Sequence, residues 1–176
     1  MTSSGPYTQA YDMKQMYDFV DLRKKKKPED CAAKKNTLMG VIDRNPDFTI
    51  FSKIVEKARY VGKLEEEQAD FTIFVPSDAE LLKKFNKEFI DNMDDGMARQ
   101  ILAFSMMNRK IDKFLIQSSP VGIFPTTDRS NSMHINTISG VTQLPNGTNV
   151  IHWNHPADNG IIHVIDNFLI PEQTIY

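Results

Sequence analysis

The chain has 176 residues, of which 40% are hydrophobic and 25% are charged, a composition typical of a globular protein with material for one core. Its formal net charge of −2 gives the molecule as a whole no electrostatic attraction for nucleic acid or an anionic membrane. The apolar runs are far shorter than the roughly 20 residues that cross a bilayer. With Cys31 as the only cysteine, no internal disulfide can form.

Residues 1–35 differ in charge from the rest of the chain. They hold eight lysines and arginines against five aspartates and glutamates, a net charge of +3 that leaves −5 for residues 36–176. Apolar side chains occur among them at partly helical spacing, too few for a separate core. We therefore expect an N-terminal arm, residues 1–35, that docks on another protein. The expected docking residues are Tyr11, Tyr17, Phe19, Arg23, Lys24, Lys25, Lys26 and Lys27.

The basic run at residues 23–27 is the one local feature that could contact nucleic acid or phosphate. It contains no interleaved aromatic residue and is followed by Glu29 and Asp30. Salt screens such a field within roughly 8 Å, so a solvated or protein-docking segment is the favoured interpretation, and no nucleic acid partner is expected.

From residue 36 onward the pattern is helical. Asn36 or Thr37 can cap a first helix, and Asn45-Pro46 should separate it from a second, because a residue before proline avoids the helical region. The second helix is expected to bury one face. That face consists of Phe48, Phe51, Ile54, Val55 and Ala58.

A short buried strand, "FTIFVP", precedes a helix that Ser77 or Asp78 would cap. A further helix is indicated by a stripe of Met97, Ile101, Phe104 and either Met107 or Asn108. Beyond Ile111 the chain is strand-like, and the expected strands are "KFLIQ", "GIFPTT", "MHINTISG", "VTQL", "NVIHWN" and "IIHVIDNFLI". Helices followed by strands without βαβ alternation predict an α+β fold.

The segment "NGIIHVIDNFLIP" at residues 159–171 is nearly all apolar, yet it contains His163 and Asp166. As one strand it would place these two side chains on opposite faces, where they cannot share a metal or act as a catalytic pair. A buried polar atom without a partner costs about 1–3 kcal/mol. Both side chains are therefore expected to be hydrogen-bonded structural groups.

Two segments together carry a family resemblance. "TIFVPSDAEL" at residues 72–81, followed by "NGIIHVIDNFLIP", resembles the two signature segments of the fasciclin-like domain family. The matching residues expected to form the structural motif are Thr72, Phe74, Pro76, Ser77, Asp78, Asn159, Gly160, His163, Asp166 and Pro171. The resemblance covers about residues 36–173, so the domain is placed at residues 36–176.

The resemblance implies a wedge in which a twisted β-sandwich packs against several α-helices, with the two segments as neighbouring central strands. It also implies a module for adhesion or protein binding rather than catalysis. No catalytic residue, metal or cofactor is expected. Integrin-binding members commonly carry a Tyr-His pair in the helix before the strand-rich half. The matching place here contains Phe104-Ser105, so that motif is missing.

Two further patterns invite chemical interpretations. His152 and His155, with Asp158 close behind, have a spacing that would converge on a helix, but in a strand the two rings should point apart, which favours an exposed pair over a metal site. Asn146 lies in both an Asn-Gly turn and a glycosylation sequon, and the hairpin turn is favoured. Gly-x-Ser-x-Gly, a phosphate-binding Gly loop, paired cysteines and a dinucleotide fingerprint are all missing.

The leading functional hypothesis is a non-enzymatic interaction module, a structural subunit of a larger assembly such as a virus coat or scaffold, docked through its arm. Because no export signal is seen, incorporation into an assembly or virion is favoured over secretion. The alternatives are a cell-surface or extracellular adhesion protein and a metal-dependent enzyme that uses the loop histidines.

Overall fold

The computed structural model describes residues 36–119 and 121–171, without the side chain of Val121. The helices are α1 (Leu38–Arg44), α2 (Thr49–Ala58), α3 (Val61–Leu64), α4 (Asp78–Lys84), α5 (Lys87–Asp91), α6 (Asp95–Ser105) and α7 (Lys113–Gln117). The strands are β1 (Phe71–Pro76), β2 (Met106–Met107), β3 (Val121–Pro125), β4 (Ser132–Ile138), β5 (Val141–Leu144), β6 (Thr148–Ala157) and β7 (Gly160–Ile165). Short 3-10 turns occupy Pro46–Phe48 and Pro145–Gly147.

Helices α1 and α2 form where the sequence predicts them. The Thr37 hydroxyl accepts a hydrogen bond from the Gly40 amide and begins α1. Asn45 is extended before Pro46, which ends α1, because proline disfavours the helical conformation in the residue before it. The expected buried face of α2 is confirmed, since all of its members are at most 2% exposed.

The strands form one open seven-stranded sheet in the order β2-β1-β7-β6-β5-β4-β3. Only β1 and β7 run parallel, and every other neighbouring pair is antiparallel. The crossover between the parallel strands contains several helices and the remaining strands. The predicted α+β class is confirmed.

Strands β1 and β7 lie between two hydrophobic clusters. Ile73 and Ile162 face the helices and pack into a cluster with residues of α1, α2 and α6. Phe74 and Ile165 face the other way and share a second cluster with residues of β4 and β5. The two ends of one sheet therefore enclose a common core, which is the sandwich-like packing that the resemblance implies.

Residues 113–117 form a helix, so the strand predicted for "KFLIQ" is wrong. The Asp112 carboxylate accepts a hydrogen bond from the Leu115 amide at 2.9 Å and caps a single turn. Only Ile116 of this turn is buried, while Phe114 is 76% exposed. One capping residue therefore outweighed the strand propensity of the segment.

Two element boundaries also differ from the predictions. Helix α6 ends at Ser105, so Met107 belongs to a strand instead of continuing the helical stripe. Strand β7 ends at Ile165, so Asp166 and the residues after it do not continue its alternation. The Asn167 side chain accepts a hydrogen bond from the Phe168 amide, and such local bonds compete with extended pairing.

Candidate functional site

The two signature segments lie side by side in the sheet, as the second and third strands from the β2 edge. Phe74 of β1 is opposite His163 of β7, and Val75 is opposite Val164. All six residues of each strand are buried. The prediction that the two segments are neighbouring strands is confirmed, and both are interior strands of the sheet.

His163 is fully buried, and both of its ring nitrogens have partners. Nδ1 accepts a hydrogen bond from the Asn154 amide at 3.1 Å, and Nε2 lies 2.8 Å from the Ile111 carbonyl oxygen. Since Nδ1 accepts, Nε2 must carry the proton and donate to Ile111. The ring packs against Phe74 and Trp153, with centroids 5.4 Å and 5.0 Å away.

Burial lowers the pKa of His163 below its ordinary value of 6.5. The Ile111 carbonyl and the Asp112 carboxylate both act to raise it, but desolvation of the charged form is the larger effect. The imidazole is therefore neutral at neutral pH, in the tautomer that its two partners require.

Thr72 ties the loop that precedes α7 to β1. Its hydroxyl donates to the Arg109 carbonyl and accepts from the Ile111 amide, both at 2.7 Å. His163 binds the Ile111 carbonyl from the neighbouring strand. The loop is thus attached to both signature strands through backbone atoms.

Asn159 joins three segments from a fully buried position. Its Oδ1 accepts from the Leu38 amide at 2.7 Å, and its Nδ2 donates to the Leu64 and Glu66 carbonyl oxygens at 2.9 and 2.8 Å. It thereby satisfies a backbone amide at the start of α1 and a carbonyl at the end of α3. The next residue, Gly160, has no side chain, and a Cβ at this position would lie 2.3 Å from the Phe71 carbonyl oxygen.

Ser77 and Asp78 cap two different helices. The Ser77 hydroxyl accepts from the Glu80 amide at the start of α4. Asp78 instead reaches α2, where its carboxylate accepts from the Thr49 and Ile50 amides at 3.2 and 2.9 Å and also from the Thr49 hydroxyl. The residue before α2 provides no side-chain cap of its own, so Asp78 supplies that cap across 28 residues or more of sequence.

Asp166 links the ends of two strands. It accepts from the Asn149 amide at 2.9 Å and from the Asn149 side chain at 3.3 Å. Lys84 contacts the same carboxylate at 3.8 Å. Pro76 closes β1 opposite Ile165, and Pro171 is buried near the end of the described chain.

The expected separation of His152 and His155 is wrong. Their ring centroids lie 6.3 Å apart, on the same face of β6. A β-bulge between them uses three residues of β6 against two of β7, and Asn154 adopts a left-handed conformation, φ 60°. The bulge could have been suspected only from Asn154, because asparagine tolerates that conformation.

Phe104 and Ser105, which replace the Tyr-His pair, are 3% and 1% exposed. Asn146 is exposed in the turn between β5 and β6, where it and Gly147 both have positive φ. The predicted hairpin turn is therefore present. The arm residues of the docking prediction lie outside the described part of the chain.

A cleft of about 600 Å³ lies beside β4 and β5. Its lining is mainly amide and hydroxyl side chains, with His134 as its one titratable group. None of the ten signature residues lines it. The buried polar groups at the centre of the sheet therefore do not face this cleft.

Within residues 36–119 and 121–171, no group of three or more His, Cys, Asp or Glu side chains is arranged to hold a metal ion. In the same residues, no helix has both the length and the apolar character needed to cross a membrane.

The family model of the fasciclin domain matches residues 46–171. Among solved structures, the chain is similar to a FAS1 domain pair from the insect cell adhesion molecule fasciclin I, with a TM-score of 0.61 and 23% sequence identity. The alignment covers 80% of this chain and 53% of that one, about half its length. No curated protein sequence matches significantly. The chain thus belongs to the fasciclin domain family, whose domains generally serve in protein–protein interaction or adhesion and are non-enzymatic.

Proposed function

We propose that this chain is a non-enzymatic interaction module, a structural subunit that docks into a larger assembly through residues 1–35. The proposal that the module is non-enzymatic rests on the hydrogen bonds that the polar signature residues make. Each polar atom of Thr72, Asn159 and His163 with a described contact binds backbone within the domain. Such groups hold loops in place, and none of the three lines the cleft beside β4 and β5.

The domain also exposes apolar side chains that suit protein contacts. Ile138 and Val141 face each other across the β4–β5 turn and are 70% and 59% exposed. Phe114, at 76% exposure, projects from α7. Because isolated exposed apolar residues are common, these positions only supplement the contact made by the arm. The arm would add the buried area of about 800 Å² per partner that stable contacts need. A virus coat or scaffold is an assembly of this kind.

The arm is tested by two sets of variants in the full chain. Tyr11, Tyr17 and Phe19 are replaced by serine in one variant, and Lys24, Lys25, Lys26 and Lys27 by alanine in another. Loss of co-sedimentation with the native assembly is expected in the first variant, and a stronger salt-dependent loss in the second. Leu82→Ser in α4, an exposed apolar residue that is not among the proposed contact positions, is the matched control, for which co-sedimentation is expected to be retained. Both arm variants co-sedimenting as the parent does would remove the arm from the proposal.

The extracellular adhesion role is the second candidate, favoured by the exposure of Asn146 within its sequon. It predicts a glycan on Asn146. Intact-mass measurement of native material decides between the two, because an unmodified mass contradicts the adhesion role in its glycosylated form, while an added glycan mass contradicts an intracellular assembly.

A further inference from the structure

We propose that His152 and His155 form a two-histidine site for one divalent transition-metal ion. The sequence spacing alone opposes this idea, because residues three apart in a regular strand face opposite ways. The bulge in β6 reverses that relation. His152 lies opposite Val164 and His155 opposite Ile162, two positions that share one face of β7.

The distance between the rings fits chelation by a single ion. Each metal–nitrogen bond to imidazole is about 2 Å, so two imidazoles at adjacent positions of one tetrahedral or square-planar ion have centroids roughly 4.5–5 Å apart. The observed separation is 6.3 Å with the rings inclined at 59°. Side-chain rotations that bring the two centroids about 1–2 Å closer would form the chelate, and the exposed side chain of His152 has the space to make them.

The surroundings of the two rings favour a cation. Both line a groove of about 420 Å³ between β6, β7 and the start of α4. Asp47 lines the same groove, and no lysine or arginine is among its described lining residues. Two imidazoles leave the remaining coordination positions to water, so the site suits ions that bind imidazole well, in the order Cu²⁺ above Zn²⁺.

The bulge that creates the pair is anchored in the core. The Asn154 amide donates to Nδ1 of buried His163, and the Asn154 side chain accepts from the Lys113 amide at 3.0 Å. These bonds fix the left-handed residue between the two histidines. Buried His163 thus positions His152 and His155 without itself being a ligand of the ion.

The test is a titration of the tag-free full chain with Cu²⁺ alone, followed by calorimetry and electron paramagnetic resonance, in a Cys31→Ser background that removes the thiol. One ion per chain with two nitrogen ligands is expected. His152→Ala and His155→Ala should each lower the affinity at least tenfold. His134→Ala, which removes an exposed histidine of β4, should leave it unchanged.

A second pair of variants tests the bulge. Asn154→Gly and Asn154→Val both lose the hydrogen bond that the Asn154 side chain accepts from the Lys113 amide, but only valine disfavours positive φ. The affinity should fall in the valine variant and be kept in the glycine variant. Binding with parental affinity in a His152→Ala/His155→Ala double variant would show that the ion is held elsewhere and would overturn the proposal, as would the lack of any saturable site.

Discussion

At the scale of single residues, the buried polar side chains act as connectors between backbone segments. His163 and Asn159 each bind backbone atoms from two separate segments, and Thr72 binds two backbone atoms of the loop before α7. A buried backbone group that loses its partner costs about 1–3 kcal/mol. Replacement of any one of these side chains should therefore lower the free energy of unfolding by more than the loss of its packing volume alone would.

The first prediction concerns His163→Leu. This change leaves the Asn154 amide and the Ile111 carbonyl without their partner, and we expect the free energy of unfolding to fall by about 2–4 kcal/mol. Urea denaturation measures the difference. His134→Leu, on the exposed face of β4, is the control and should change stability by less than about 0.5 kcal/mol. A loss for His163→Leu no larger than that of the control would contradict the structural role.

The pH dependence of stability gives the second prediction. The pKa of His163 is lowered in the folded state, so the unfolded state binds more protons once the pH falls below 6.5. The stabilisation is present above pH 6.5 and is lost as the pH falls from there through the folded-state pKa. Within that pH window, protonation of His163 should lower the free energy of unfolding of the parent by up to about 1.4 kcal/mol per pH unit. Parallel pH profiles for the parent and His163→Leu would contradict the prediction.

Gly160 and Gly62 provide a matched pair for the third prediction. A Cβ on Gly160 would lie 2.3 Å from the Phe71 carbonyl oxygen, whereas a Cβ on Gly62 meets nothing within 4 Å. Gly160→Ala should force β1 and β7 apart and destabilise by about 2 kcal/mol or more, in the range of overpacking in a core. Gly62→Ala, in helix α3, should be neutral or stabilising by up to about 1 kcal/mol. Thermal unfolding of the two variants compares them directly.

At the scale of elements, the helices depend on caps supplied by distant residues as well as by their own neighbours. Asp78 caps α2 from the start of α4, and Asn159 binds the first amide of α1. A residue at the start of one element therefore holds the beginning of another. Such contacts fix the relative placement of helices, which local capping cannot do.

The fourth prediction uses this difference. Asp78→Ala removes two amide partners and a hydroxyl partner from the start of α2, and also the favourable negative charge there. We expect a loss of about 2 kcal/mol, at the upper end for capping residues. Asp94→Ala removes one local cap from α6 and should cost about 1 kcal/mol. Equal losses in urea denaturation would mean that the long-range cap adds nothing.

At the scale of the whole molecule, β1 and β7 contribute alternate side chains to both hydrophobic clusters. Ile73 and Val75 pack on the helix side, while Phe74 packs with Trp153 and the strands on the other side. Because both strands contribute side chains to both clusters, disruption of one cluster also disrupts the other. The domain should therefore unfold as one cooperative unit.

The fifth prediction follows from that coupling. Trp153 is the only tryptophan and packs against the second cluster, so its fluorescence reports there, while circular dichroism reports chiefly the helices of the first. The two transitions should coincide in urea. Phe74→Ala should lower both midpoints together, with a loss of about 3–5 kcal/mol. Separate transitions, or a shift in fluorescence alone, would show that the clusters unfold independently.

The sequence by itself determined the fold class, the family and the adjacency of the two signature strands. Apolar alternation with Gly, Pro and cap residues at fixed positions is a local signal, and the two segments carry it strongly. It also predicted that His163 is hydrogen-bonded, because an unpaired polar atom in a buried apolar strand costs about 1–3 kcal/mol.

Only the tertiary structure decided which partners those polar groups take. No local pattern says that Asp78 caps α2 instead of its own helix, or that Asn159 reaches Leu64 and Glu66. The pairing of His152 with His155 is of the same kind, because it depends on a bulge that the register of β6 against β7 imposes. Long-range hydrogen bonds and strand register are set by the packing of the whole chain, and a sequence pattern records only the neighbourhood of each residue.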